Sequence, residues 1–412
     1  MFNLFSTQTN QATIGETNVT VKVQFSKYSA SWFNSDFQLA TQINSKKGKG
    51  FKLPEESNLK FRQVQRYEIF YRKFYHKRIQ QQIKTPFNPD YDEFKRFCAT
   101  VLSQRIFYIL KTALPQLITG RKELIINLYA VNKYLENDLA AYVYSNSTDK
   151  AIEMEFSGSA LTGRIYFLWV YAHKVDASFL ERTLTHELEH HLEHRKGMYL
   201  KEEETLKNIA EFMQLNPEAW KGSFPALFEV WCNLYAEGLA TFVENRKANQ
   251  VEIDFKQVQK LKLGLIKLSL LNKKSDAEKL VEKEFRSTAE SGEYYLGRLM
   301  CYFIGLSFLK QKKTEVLVLS QGKLKLPFTE LGLFLEKHSS VKLEQLNEET
   351  FKEAYAKLSQ IKHHREFIAL YTKACQELGL KDSLRIVDTK FYHKLLNNAA
   401  GSYKHCREVV MG

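Results

Sequence analysis

Cysteine is scarce in this chain. Cys98, Cys232, Cys301, Cys375 and Cys406 are odd in number, far apart and free of any C-x-x-C pair. That excludes a disulfide-stapled scaffold, and the pattern reads as buried thiols in a reducing compartment. Long apolar runs are missing as well. The longest candidate, residues 296–309, falls short of the roughly 20 residues a bilayer span needs and carries Arg298. The first residues, Met1-Phe-Asn-Leu-Phe5, lack a basic stretch followed by an apolar one, so no signal peptide is read there. The expectation is a cytoplasmic protein with no membrane span. The C-terminal half shows neither a repeat of fixed period nor a low-complexity tract, which argues against a solenoid.

What the chain does hold is enough apolar matter for a sizeable core: 412 residues, 44% apolar and 13% aromatic. These values mark a globular protein of two or three structural units. The formal charge of +13 is spread along the sequence, so it fits solubility as well as an anionic partner. Residues 1–60 form a polar N-terminal segment with one expected strand at 20–25 and a loop at 45–50. Residues 61–177 are expected to supply helices and a small sheet. A basic, aromatic helix is read at 61–84, a second from Asp90 or Asp92 to Leu117 closed by Gly120, and strands at 124–129, 152–156 and 163–171. Residues 198–222 read as a polar helical connection, and long helices occupy the rest of 178–245. From 246 to 412 helices are expected near 251–271, 275–290, 293–311, 328–338, 348–361 and 363–378, with one strand at 315–320. Ser275 and Glu278 carry the spacing of a capping box. The fold class is therefore α+β and predominantly helical: a small mixed sheet beside the helix that begins at Ser178, then a helical C-terminal subdomain.

Residues 178–197 are where chemistry concentrates. They contain His186-Glu187-Leu188-Glu189-His190, an H-E-x-x-H run. At about 100° per residue, side chains four apart share one face of a helix, so both imidazoles can reach one Zn²⁺ ion with Glu187 beside its open position. Ser178 and Glu181 have capping-box spacing, and Gly197 reads as a C-terminal stop. Leu184, Leu188 and Leu192 form an apolar stripe opposite the histidines, which can hold the helix to a core while the imidazoles look into a cleft. The plainer reading, a solvated charged helix, draws on His191 and His194 as further members of the same His-rich stretch.

A catalytic zinc needs a third protein ligand and leaves its fourth position to water. A second long helix, beginning at Ser223-Phe-Pro225, contains Glu237-Gly-Leu-Ala-Thr-Phe-Val-Glu244. Gly238 in it removes a side chain where another helix or a metal must come close. This run resembles the E-G-x-A-x-aromatic-x-E segment of gluzincin metallopeptidases, the aminopeptidase-N-like enzymes and related zinc protease families. The resemblance implies Glu237 as the third ligand and Glu244 as a residue behind the ligands. Tyr294-Tyr-Leu-Gly297 is similar to the Y-x-x-G that follows in the same enzymes, where the tyrosine hydroxyl stabilises an oxyanion; Tyr295 stays open as the alternative. The likeness covers residues 178–297 only. It departs from the family in the 46 residues between His190 and Glu237, in Ala236 where those aminopeptidases carry Asn, and in the lack of a G-x-M-E-N-like exopeptidase segment.

The resulting expectation is a zinc-dependent peptide hydrolase, endopeptidase rather than exopeptidase. His186, His190 and Glu237 hold Zn²⁺, Glu187 is the general base and Tyr294 faces the oxyanion. Glu244 and Glu193 are the acceptors for the outer imidazole nitrogens. The partner is a peptide or protein that can add as a strand between sheet and helix. Two alternatives accompany it. In one, a basic nucleic-acid- or protein-binding protein keeps a structural zinc site and uses residues 61–84 on nucleic acid. In the other, the first 60 residues occupy the cleft and hold a protease inactive.

Overall fold

The computed structural model describes residues 5–26, 91–131, 140–143, 146–157, 178–195, 222–286, 292–320, 322–382 and 384–400. The expected helices at 61–84 and 198–222, the strand at 163–171, the loop at 45–50 and Gly197 lie outside them.

Strand formation begins with alternation. Val19, Val21, Val23 and Phe25 are buried on one face of β2 (Thr17–Ser26), which pairs antiparallel with β1 (Phe5–Ile14). The two are joined by the two-residue turn Gly15-Glu16, with Gly15 at φ +60°, a backbone region that favours glycine in such hairpins. β2 then runs parallel to β3 (Glu123–Val131), and β3 parallel to β5 (Ala151–Ser157). β4 (Ala140–Tyr142) closes this five-stranded sheet antiparallel to β5, giving the order β1-β2-β3-β5-β4. Two of its five strands, β1 and β2, come from the N-terminal polar segment. Residues 5–26 are thus built into the sheet next to β3 and are not a free segment lying in a cleft.

Helix α1 (Tyr91–Thr112) covers β1 and β2 with Cys98, Leu102, Ile106, Ile109 and Leu110. It stops short of the expected Leu117, because Pro115 opens a separate 3₁₀ turn to Leu117; proline has no N–H to continue an α-helical ladder. Helix α2 (Ser178–Arg195) carries the H-E-x-x-H run. It packs against α1 and β4 on one side and against α3 (Phe224–Glu244) on the other. Leu184, Leu188 and Leu192 are buried. The Glu181 carboxylate meets Lys247 at 2.7 Å and Arg246 at 3.7 Å.

The C-terminal half departs from the expected run of helices. β6 (Gln250–Asp254), β9 (Ser340–Glu344), β7 (Glu315–Val318) and β8 (Leu324–Pro327) form a second, antiparallel sheet in the order β6-β9-β7-β8. Helix α4 (Phe255–Leu270) therefore starts at 255, where Asp254 accepts hydrogen bonds from the amides of Lys256 and Gln257. α5 (Lys274–Glu284) has Lys273 as its N-cap, so Ser275 lies inside the first turn, and Glu278 pairs with Lys274 instead of closing a capping box. α6 (Gly292–Lys312), α7 (Phe328–Glu336), α8 (Glu348–Leu358) and α9 (His364–Glu377) lie close to expectation. The final helix, α10 (Thr389–Ala399), was not expected. Among the described residues no helix is long and apolar enough to cross a membrane.

α3 is buried on most of its circumference and contacts α2, α4, α5, α6 and α9. Its closest neighbour is α6. A Cβ on Gly238 would stand 2.5 Å from the Gly297 backbone, and one on Gly297 would fall well inside van der Waals contact with the Leu234 carbonyl oxygen. Gly297→Ala should cost about 3 kcal/mol in urea unfolding, because backbone must move to admit the methyl. Gly322→Ala, at φ +76° in open space, should cost only the backbone strain of about 1 kcal/mol. Equal losses would contradict the close helix contact.

Candidate metal centre

Two helices supply the ligands. On α2 the four-residue spacing places His186 and His190 one turn apart, with rings 4.7 Å apart and edge to face. From α3, Glu237 reaches across to both. Glu237 Oε2 lies 3.1 Å from His186 Nε2 and 3.5 Å from His190 Nε2, and the two Nε2 atoms are 3.1 Å apart. A tetrahedral ion with bonds of about 2.0–2.1 Å spaces its ligand atoms about 3.4 Å apart. The donor set and its spacing thus fit a divalent metal, and among the described residues this His186, His190 and Glu237 group alone gathers three such ligand atoms.

Behind each imidazole stands a carboxylate. Glu193 Oε2 accepts from His190 Nδ1 at 3.0 Å, and Glu244 Oε2 lies 3.1 Å from His186 Nδ1, close enough to pair but out of line for a straight hydrogen bond. Such partners set the tautomer that leaves the Nε2 lone pair facing the ion. Burial opposes a proton on His186, but Glu237 and Glu244 outweigh it and push its pKa up to about 10. His190 is raised too, against burial, chiefly by Glu237 and Glu193. Burial also resists charge on Glu237, yet the histidines hold its carboxyl well below the ordinary value.

The remaining expected residues are placed as follows. Glu187 is buried on α2 directly after His186. Tyr294, near the start of α6, stacks on His186 with ring centroids 5.8 Å apart and planes 23° apart. Tyr295 turns elsewhere, its hydroxyl oxygen accepting from the Asp254 amide at 2.7 Å, so of the two tyrosines it is Tyr294 that sits over the ligand set. His194 is not one of the converging ligands; it lies edge to face with His191, at 6.5 Å between rings. Burial, helped by Arg121 and Arg195, pushes His191 down to about 3, which keeps it neutral.

Sequence reasoning missed a buried network next to this group. Glu293 Oε2 accepts from Asn233 Nδ2 at 3.1 Å and from Arg286 Nε at 3.4 Å, while Arg286 Nη2 stands 2.8 Å from Glu229 Oε1. Burial raises the Glu293 carboxyl to about 8; Arg286 pulls it down and nearby Glu237 pushes it up. A signal did exist. On α3, an otherwise apolar helix, Glu229, Asn233 and Glu237 recur every four residues, which marks a polar stripe on one face. A second missed contact lies behind α2, where the Tyr355 hydroxyl donates to the fully buried Glu189 at 2.6 Å.

No family model, curated protein or solved structure matches the chain. The case for a metal centre therefore rests on the convergence of the three side chains.

Metal ligation requires neutral imidazoles, so loading the metal-free protein at a pH where the cluster holds a proton should release protons. The sign follows from the raised histidine values. Charge pairing stabilises the metal-free cluster at low pH and is lost as pH rises toward about 10, so metal affinity should strengthen as pH rises. Calorimetric titration in buffers of different ionisation enthalpy reads both; pH-independent affinity with no proton release would contradict the assignment.

Proposed function

We propose that the chain is a zinc-dependent peptide hydrolase, with endopeptidase action preferred. The observation that carries the reading is the convergence of His186 Nε2, His190 Nε2 and Glu237 Oε2 within 3.5 Å of one another. Two imidazoles and one carboxylate, with a further carboxylate behind each imidazole, suit zinc among the common ions, since calcium and magnesium prefer all-oxygen shells. When bound, zinc supplies a Lewis acid that acidifies a water and polarises a carbonyl oxygen.

The other tasks fall to this chain's own side chains. Glu187 takes a proton from the attacking water and passes it to the amine nitrogen that leaves as the C–N bond breaks. Tyr294, stacked over His186, donates its hydroxyl hydrogen to the oxygen on which negative charge develops. Such a donor is worth roughly 3–4 kcal/mol of barrier. Glu193 and Glu244 hold the imidazoles in one tautomer. An extended peptide would lie beside β4, the last strand of the sheet among the described residues, which packs beside α2, since an end strand can take one more strand by backbone hydrogen bonding.

Glu187→Gln should retain stoichiometric zinc and lose at least about 100-fold in peptide hydrolysis. Glu237→Ala should lose most of its zinc. Elemental analysis beside assay on a peptide library reads both. Retained activity in the first variant removes Glu187 from the base role, and full zinc occupancy in the second removes Glu237 from the ligand set.

A further inference from the structure

We infer that Glu293 is a positioning residue that, through Asn233, sets the rotation of α6 and so holds Tyr294 over His186. The inference rests on the hydrolase reading for its consequence in catalysis, though not for its geometry.

Glu293 is 2% exposed, an expensive place for a carboxylate unless its hydrogen bonds are needed. It opens α6 at a point fixed from outside the helix. Gly292 has φ +56°, a Cβ there would run into the Phe285 backbone, and the Glu293 amide donates to the Phe285 carbonyl at 3.3 Å. From this point its side chain reaches α3 one turn before the ligand Glu237, where Asn233 Nδ2 donates to it at 3.1 Å. Arg286 adds a second donor at 3.4 Å and ties itself to Glu229, one further turn back, at 2.8 Å. The polar stripe of α3 is thus laced turn by turn: Glu229 to Arg286, Asn233 to Glu293, and Glu237 to the histidines.

α3 and α6 touch backbone to backbone at Gly238 and Gly297, and buried side chains of both helices pack around that contact. The bond from Asn233 to Glu293 lies at the first turn of α6, away from the glycines, and adds a directional tie that orients this turn on α3. Tyr294 is the next residue, about 100° further round the helix, so a roll of α6 carries its ring away from His186. A displacement of about 1 Å at such a group can cost about 100-fold in rate.

The test compares the zinc-loaded full chain with Glu293→Ala, Glu293→Gln, Asn233→Ala, Tyr294→Phe and the Glu293→Ala/Tyr294→Phe double variant. Peptide kcat and KM are read with zinc content. In parallel, binding of acetohydroxamate to the Co²⁺-substituted proteins is followed by visible absorption. Glu293→Ala should lower kcat by about 10–100-fold and weaken acetohydroxamate, with KM and metal content unchanged. Glu293→Gln keeps an acceptor for Asn233 and should recover most of both. In the Tyr294→Phe background, removing Glu293 should add little, since the residue acts through Tyr294. Asn233→Ala cuts the same bond from the α3 side and decides the matter should Glu293→Ala fail to fold. Losses that multiply in the double variant, or unchanged acetohydroxamate affinity in a folded, metal-loaded Glu293→Ala or Asn233→Ala protein, would overturn the inference. A wild-type protein inert on peptides would count against the hydrolase reading, and the acetohydroxamate series would still decide the role of Glu293.

Discussion

Two imidazoles and three carboxylates meet in one largely dry place: His186, His190, Glu193, Glu237 and Glu244. Removing each ion from water costs several kcal/mol, and the arrangement is tolerable only where opposite charge is supplied at short range. With neutral imidazoles and no cation, three negative groups would share the site. Protons on the histidines relieve this in the metal-free protein, and a divalent cation at the Nε2 atoms relieves it in a loaded one. Because Glu193 and Glu244 occupy the Nδ1 sides, the Nε2 atoms face Glu237. α2 and α3 therefore meet across this charged cluster as well as across their apolar packing.

Packing then supplies the stiffness. α3 is apolar on most sides, as a helix through the middle of a core must be, and its aromatic residues bind it to the C-terminal helices. Trp231 lies 3.9 Å from Tyr392 of α10 between ring centroids, and Tyr235 lies 5.2 Å from Phe367 of α9. On its other side α3 meets α2, which leans on α1 and β4. The ligand helix thereby couples the N-terminal sheet to the C-terminal helices, and Glu237 is held by a rod that neither half can move alone. Mounting reactive groups on such rigid elements is what gives a site its precision.

How legible this was depended on the range of the interaction. Spacing within one helix is local, so His186, Glu187 and His190 could be read directly, and so could the leucine stripe opposite them. Glu237, Glu244 and Tyr294 needed a resemblance, because nothing local distinguishes a ligand glutamate from a surface one. The choice between Tyr294 and Tyr295 had no local answer at all; it turned on the Asp254 amide, which takes the second hydroxyl. The short strands β6, β8 and β9 were missed for the same cause. Five residues such as Gln250–Asp254, with only two buried positions, carry too little alternation to outweigh the helical pattern that follows. The capping box at Ser275 failed because the helix starts one residue before it, with Lys273 as its N-cap.

By itself the sequence determined the helix that carries His186 and His190 on one face and the class of the fold, since these follow from periodicity and side-chain chemistry along a few turns. Only the tertiary structure decided which carboxylate backs which imidazole, which tyrosine stacks on His186, and that a buried Glu293 on α6 accepts from Asn233 on α3. Those outcomes depend on distances between segments far apart in the chain. Such distances are set by the backbone contact of Gly238 with Gly297 and by the demand that every buried charge find a partner, constraints that no stretch of sequence expresses alone.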